Sequence, residues 1–146
     1  MISFADVVFA EQYFSKRVFV DNWHNCQNKE AFLNTASGMI ADFCTFTDAN
    51  ADLIDYTNGK MPVPEWLQRA TCEQALYLIN LGKDPTQADK KTTLGVASTD
   101  GTVFDKSFSA DILGIACRRI ISDNGGAISP LASANSKTIA VGTISK

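Results

Sequence analysis

Pro62-Val-Pro-Glu-Trp-Leu-Gln-Arg-Ala-Thr-Cys-Glu-Gln-Ala-Leu-Tyr-Leu-Ile-Asn-Leu-Gly82 is the best delimited stretch of this 146-residue chain, and its reading decides the fold. Proline opens it. Pro64 suits the first turn of a helix, where its missing N–H would have no intrahelical partner anyway. Gly82 closes it, because glycine enters the left-handed conformation of a C-terminal cap without a Cβ clash. Glu65 sits near the positive end of the helix dipole. In the first half Trp66, Leu67 and Ala70 share one side, with Gln68, Arg69 and Glu73 on others. Residues 75–81 are apolar almost all round, which marks a buried helix. The segment is expected to be the central core helix, wrapped by the other helices of the chain.

Three such helices flank it. Residues 3–16 read as the first, with Ser3 as N-cap and Asp6 in the first turn. Phe9 and Tyr13 are spaced i,i+4, as are Ala10 and Phe14. Phe4, Val7 and Val8 add apolar surface on several sides, so this helix should be mostly buried, against the core or a neighbouring subunit. Residues 18–27 form a connector in which Trp23 is an anchor packed on the helices rather than a ligand-binding ring. Residues 28–46 read as the second helix, capped by Asn28, with Glu30 in its first turn. Phe32, Leu33, Ala36, Met39, Ile40 and Phe43 form the strongest amphipathic stripe in the chain. The last helix spans residues 109–123, capped by Ser109 or by Ser107 a turn earlier. Ile112, Leu113, Ala116, Cys117 and Ile120 make its apolar face, Arg118 and Arg119 suit its C-terminal end, and Asn124-Gly-Gly126 stops it.

The segments between are less regular. Residues 47–61 are a loop in which Leu53, Ile54 and Tyr56 tuck under the bundle. Asp48-Ala-Asn50-Ala-Asp52 resembles the start of a calcium loop, but the positions needing glycine and glutamate hold Leu53 and Gly59, so the motif fails. Asp84-Pro85 ends the central helix, and residues 83–107 follow as a long polar loop. Within it, residues 92–98 and 102–108 look like two short strands around Thr99-Asp-Gly101. A lone hairpin is marginal and needs a helix or another chain to steady it. The tail, residues 127–146, has no acidic residue and only Lys137 and Lys146 as charges. Its residues 138–144 are β-prone. A solvated terminus would ordinarily carry more charge, so we read this strand as one that adds to a partner's sheet edge rather than as a frayed end. The expectation is a mainly α fold: a bundle of about four helices over residues 1–124, with a long loop or β-hairpin at 83–108 before the last helix, and an extended C-terminal tail at 125–146.

Composition and motif searches exclude more than they suggest. The net charge of -3 lacks the basic signature of a nucleic-acid binder. No apolar run is long enough to span a membrane, and no signal peptide is visible, so synthesis in a cytoplasm is the default. Cys26, Cys44, Cys72 and Cys117 stand far apart. Their spacing leaves disulfides open, does not supply a zinc set, and favours small buried hydrophobes for the three in helical patterns. The single histidine, His24, is an exposed loop residue near Asp21 in preference to a catalytic base. There is no nucleophile elbow, phosphate loop or dinucleotide fingerprint. Glu73, in the buried stretch, is expected to pair with Arg69 one turn earlier rather than to act as a general acid. No enzymatic activity, cofactor or metal is expected. Lys83, Lys90, Lys91 and Lys106 leave a second reading, a single-stranded nucleic-acid-binding module that uses its loop lysines.

A resemblance adds to this. Ala10-Glu-Gln-Tyr13-Phe14, Trp23, Lys29-Glu-Ala-Phe-Leu33 with Ala36, and Pro62-Val-Pro64 followed by Arg69-Ala-Thr-Cys-Glu73-Gln-Ala-Leu76 occur in order, before a glycine-containing loop and a final short helix. Over about three quarters of the chain this pattern resembles the head–tail connector proteins of tailed bacteriophages, also called adaptor or head-completion proteins, and within them a DnaT-like subgroup. The tryptophan- and proline-rich segment that such proteins often carry before the Pro helix is replaced here by residues 47–61, and the tail after Asn124 is particular to this chain. The resemblance implies a virion protein of the neck, made in the host cytoplasm, that forms a homo-oligomeric ring, typically a dodecamer, beneath the portal protein. Such a ring extends the DNA channel, lets genomic DNA pass without sequence recognition, and offers a platform to the tail or to a tail-terminator or stopper protein. It needs no membrane. The partner-contacting residues expected on this reading are Lys90, Lys91, Val96, Val103, Phe104 and Lys106 in the loop, and Thr138, Ile139, Val141 and Ile144 in the tail.

Overall fold

The computed structural model describes residues 3–46, 55–56, 58–87 and 111–132. The described chain is mainly helical: α1 (Val7–Phe14), α2 (Asp21–His24), α3 (Lys29–Phe43), α4 (Glu65–Leu81) and α5 (Ile115–Asp123), with the two-residue strands β1 (Cys44–Thr45) and β2 (Ala127–Ile128) and a 3-10 turn at Pro130–Ala132. Contacts divide the chain into two units, Met1–Lys83 with Leu113–Ser129, and Asp84–Ile112 with Pro130–Lys146. The first holds all five α-helices and both strands. Of the second, the description covers an Asp84 turn, in which the Asp84 carboxylate accepts from the Thr86 N–H and hydroxyl at 2.9 and 2.6 Å, and a link from the Ile112 N–H to the Ala132 carbonyl at 2.8 Å.

Helix α4 is the axis of the first unit, and α3 and α5 are its main neighbours. Pro64 stands at its N-cap, and Gly82, at φ +75°, ends it. Leu67, Ala70, Thr71, Cys72, Gln74, Ala75, Leu76 and Leu78 are buried, so the part enclosed on most sides is the middle of the helix. The expected apolar end, residues 75–81, is less enclosed: Tyr77, Ile79 and Leu81 are half-buried and Asn80 is exposed. Helix α5 itself starts at Ile115, six residues later than its sequence pattern suggests.

Gln74 joins three elements. It is fully buried. Its Oε1 accepts from the backbone N–H of Gly114 at 2.8 Å, and its Nε2 lies 3.5 Å from Met39 Sδ on α3. Gly114 is the N-cap of α5, and its N–H would otherwise be buried without an intrahelical partner. A Cβ at Gly114 would stand 2.8 Å from Cγ of Tyr77, so glycine is what allows α5 to begin this close to α4. Leu113, Cys117 and Ile121 point into the core, whereas Ala116 is exposed and Ile112 and Ile120 are half-buried. The apolar face is thus rotated from the one expected. Arg118 and Arg119 fall in the first half of the shortened helix, away from its C-terminal end, and Arg118 Nε donates to the Leu113 carbonyl at 3.1 Å. Gly125, at φ +87°, and Gly126 close α5 with paired bonds, Gly125 N–H to Ser122 O at 3.2 Å and Gly126 N–H to Ile121 O at 2.9 Å. That is a Schellman cap.

Helix α3 shows the expected stripe, with Leu33, Ala36, Met39 and Ile40 buried and Phe32 and Phe43 half-buried. Asn28 is at its N-cap, but its side chain makes no capping hydrogen bond. The helix stops at Phe43, three residues early, because Cys44 turns extended and Cys44–Thr45 pairs antiparallel with Ala127–Ile128. Ser129 N–H continues this pairing onto Phe43 O at 2.7 Å. The start of the tail is therefore docked on its own domain. Helix α1 also starts late. Asp6, not Ser3, caps it, accepting from Phe9 N–H at 2.8 Å. Ser3 is taken up elsewhere: its hydroxyl lies 3.2 Å from that of Ser37, which accepts from Phe4 N–H at 2.9 Å and donates to Leu33 O. This buried serine holds Phe4 and Ala5 against α3 as an extended segment. The expected connector contains the short α2, which carries the fully buried Trp23.

Three cysteines, Cys44, Cys72 and Cys117, are buried as expected, although Cys44 sits on β1 rather than in a helix. Tyr56 is buried, while Leu53 and Ile54 lie outside the described residues. So do the expected hairpin at 92–108, the Ser107 and Ser109 caps, and the β-prone tail.

Replacing Gln74 by leucine keeps the side-chain volume but strands the Gly114 N–H. Leaving a buried donor unpaired costs about 1–3 kcal/mol, so Gln74→Leu should lower the unfolding free energy by that amount, read as a lower urea midpoint at unchanged slope. An unchanged midpoint would mean that Gln74 is not the joint between α4 and α5.

Candidate functional site

Two polar clusters fasten α1 to the core. In the first, Glu73 on α4 accepts from the Tyr13 hydroxyl and forms an ion pair with Arg17. The Arg17 guanidinium also lies over the Tyr13 and Phe14 rings, 5.6 and 5.5 Å from their centres. The expected Arg69–Glu73 pair is not what Glu73 makes. Arg69 is half-buried, and its Nε is buried with no hydrogen-bond partner among the described residues. Glu73 faces α1 instead, where a phenol and a guanidinium together replace its water. Burial pushes the Tyr13 hydroxyl well above the usual tyrosine range, the hydrogen bond to Glu73 and its charge add to the shift, and Arg17 opposes it.

In the second cluster Glu11 accepts from Trp23 Nε1 at 3.1 Å and pairs with Lys29 at 2.8 Å. The Lys29 ammonium stands 5.3 Å from the centre of the indole. The hydrogen bond from Lys29 is the main cause that holds the Glu11 carboxyl below its ordinary range, with the Lys29 charge and the Trp23 N–H adding to it. Trp23 also packs on Phe14 at 5.0 Å, so the indole joins α1, α2 and the start of α3.

Neither cluster is arranged for proton transfer or nucleophilic attack. Each carboxylate is engaged by a cation and a neutral donor. Burial pushes the Cys44 and Cys72 thiols up to about 12 and holds Cys117 well above the usual thiol range, which removes the thiolate needed by a nucleophile or a metal. Among the described residues no group of three or more His, Cys, Asp or Glu side chains could hold a metal ion. No described helix is long and apolar enough to cross a membrane. His24 is exposed on α2, as is Asp21.

What the clusters do is present the two ends of α1. Beyond its C-terminal end, Val18 and Phe19 are 73% and 93% exposed. Phe19 has φ +65°, which no other described residue except glycine adopts. A bulky side chain in this region is rare, and such strain costs of order ~1–3 kcal/mol. The next residue, Val20, is buried, and Val20 O accepts from the N–H groups of Trp23 and His24 at 3.0 and 3.2 Å. Phe19 is thus held outward between two anchored neighbours, Arg17 on Glu73 and Val20 at the start of α2. At the other end of α1 lies an open groove of about 870 Å³. Phe4, Ala5 and Leu33 form its buried side, and Val8, 66% exposed, and Val63 flank it. Asp6 and Glu30 place two exposed carboxylates on its edge. Val8 departs from the expectation of a mostly buried first helix.

The residues expected to contact partners, Lys90, Lys91, Val96, Val103, Phe104, Lys106, Thr138, Ile139, Val141 and Ile144, all lie outside the described residues. The large apolar side chains described as exposed are Val8, Val18, Phe19, Ile115 and Leu131; Val8 was read from the sequence as surface for the core or a neighbouring subunit, and Val18 and Phe19 were not singled out. The only available hint was Arg17-Val18-Phe19 between two helical patterns, an apolar pair in a connector. Comparison with known protein families, with curated proteins and with solved structures finds no match.

Tyr13 also sets a pH response. A phenol whose folded-state value is raised keeps its full contribution to stability below the unfolded value of about 10 and loses it as pH climbs from there towards the folded value. Stability should therefore fall with pH above about 10, and Tyr13→Phe should make the fall shallower in urea titrations at successive pH values. An unaltered slope would place the alkaline sensitivity elsewhere, with the buried thiols as the remaining candidates.

Proposed function

We propose that this chain is a structural virion protein: a ring-forming head–tail connector that docks beneath the portal, extends the DNA channel and carries the tail attachment platform. The observation that supports it best is how the described side chains are spent. Glu73 and Glu11 are taken up by Arg17 and Lys29 in contacts that fasten helices together, while Val8, Val18 and Phe19 face solvent. Val18 and Phe19 are adjacent in the chain and both exposed, an apolar pair that a partner could cover. The residues on which the connector resemblance rests, Arg69 to Leu76, lie on the helix around which the first unit is packed.

On this reading the protein is not an enzyme. Its partners are copies of itself, the portal and a tail or stopper protein, and genomic DNA passes through the ring without being read. It is made in the host cytoplasm and resides in the virion neck. The loop lysines and the β-prone tail serve as additional contact segments.

Electron microscopy of the protein incubated with portal-containing particles tests this directly. The expected result is ring density below the portal. A chain that stays monomeric alone and adds nothing to such particles overturns the proposal. Oligonucleotide binding that weakens steeply with salt and is lost on Lys90→Ala with Lys91→Ala would replace it with the nucleic-acid-binding reading.

A further inference from the structure

Two features flank α1, an exposed aromatic and an open groove, and neither fills the other within one chain. Phe19 is almost entirely exposed, so it does not occupy the groove of the same molecule. Helix α1 separates them: the groove is built on residues 3–8, and Phe19 follows the last helical residue by five positions. Their shapes differ in kind, a projecting aromatic on one side and, on the other, an open concave surface where Val8 and Val63 stand over the buried Phe4, Ala5 and Leu33. Their charges also match. The exposed Lys16 precedes the projection, Arg17 being held by Glu73, and Asp6 and Glu30 edge the groove. A cationic tip with an aromatic end fits an apolar cleft with anionic edges.

We propose that Phe19, with Val18, of one copy inserts into the groove formed by residues 3–8, Leu33 and Val63 of a second copy. The two patches are different surfaces, so the contact is heterologous. Every copy that offers a tip still has an open groove, and the contact repeats from chain to chain until rotation closes it into a ring. The strained backbone of Phe19 has a use in this arrangement. It sets the direction in which the side chain leaves the backbone before binding, so the backbone there has less freedom to lose when the contact forms. This inference rests on the ring-forming reading only for where the contact leads; the contact itself stands on the geometry of α1 and its flanks.

Cysteine cross-linking tests it. In a Cys26→Ser background the remaining native thiols are buried. Chains carrying Phe19→Cys are mixed with chains carrying Val8→Cys, oxidised mildly, and compared with a mixture in which Ile115→Cys, another exposed apolar site, replaces Val8→Cys. Docking raises the local thiol concentration, so the Phe19→Cys with Val8→Cys disulfide should exceed the control by at least about tenfold. The double variant should give a ladder of oligomers. Equal yields in the two mixtures overturn the proposal, as does a product dominated by Phe19→Cys bonded to itself, which would indicate a two-fold contact. Phe19→Gly supplies a second readout. It relieves the positive φ, so the melting temperature should hold or rise while sedimentation shows association lost; a lower melting temperature with association intact would make Phe19 a folding residue and end the inference. Portal-containing particles keep the two readings apart. If the specific disulfide forms but the chain fails to join them, the contact stands and the connector reading falls. If Phe19→Gly joins them like the unaltered chain, the contact falls and the connector reading stands.

Discussion

The hydrogen bond from the Gly114 N–H to Gln74 Oε1 is the constraint on which the helical unit depends. A buried glutamine is costly unless its amide is satisfied, and a buried helix start is costly unless its first N–H groups are. Here each cost offsets the other. The arrangement requires glycine at 114, because a Cβ would meet Tyr77. It also fixes the rotation of α5, so that Leu113, Cys117 and Ile121 enter the core while Ala116 faces out. The contact of Gln74 with Met39 brings α3 into the same joint. One side chain thereby sets the mutual positions of the three longest described helices.

The same economy governs α1. Eight residues are too few for a helix to be stable alone, and its sequence offers Ala10 and Phe14 as its buried residues. The rest of its attachment is polar and distributed: Ser37 at the segment before it, Glu73 near its end, Glu11 and Lys29 clasping Trp23 beside it. Paired charges at half-exposed sites contribute little each. Their effect is directional, since they define how α1 is oriented and hence where its apolar flanks are displayed.

Much of this was legible in advance because it depends on local periodicity. Pro64 and Gly82 bound α4 within a residue of its observed ends, and the stripe from Phe32 to Phe43 located α3. Trp23 was identified as a packing anchor. Boundaries decided by distant partners were not legible. Ser3 is a good capping residue by type, yet Ser37 engages it and Asp6 takes the cap. Ser109 suited the start of the last helix, but Gln74, 40 residues before Gly114, sets the start at Ile115. Glu73 had a sound local partner in Arg69 and instead faces α1. The pairing of Cys44–Thr45 with Ala127–Ile128 is two residues long and has no period to detect. A positive φ at phenylalanine has no signature in composition or spacing, so the display of Phe19 emerges only from the backbone, whereas the residues proposed in the loop and tail rest on a strand pattern and on the connector resemblance.

The distance along the chain between the two halves of the Gln74 joint also bears on how the protein is made. Residues reach the ribosomal exit in order, and domains assemble as their parts emerge. Once α3 and α4 are out, the side of α4 that receives α5 stays uncovered until Gly114 and the residues after it have been synthesised. The strand bridge to Cys44–Thr45 forms later still, when Ala127 and Ile128 arrive. Contacts this far apart in sequence slow folding, because a long loop must close before they form. The nascent chain therefore passes through a stage with a partly open core, and residues 113–129 act as its closing latch.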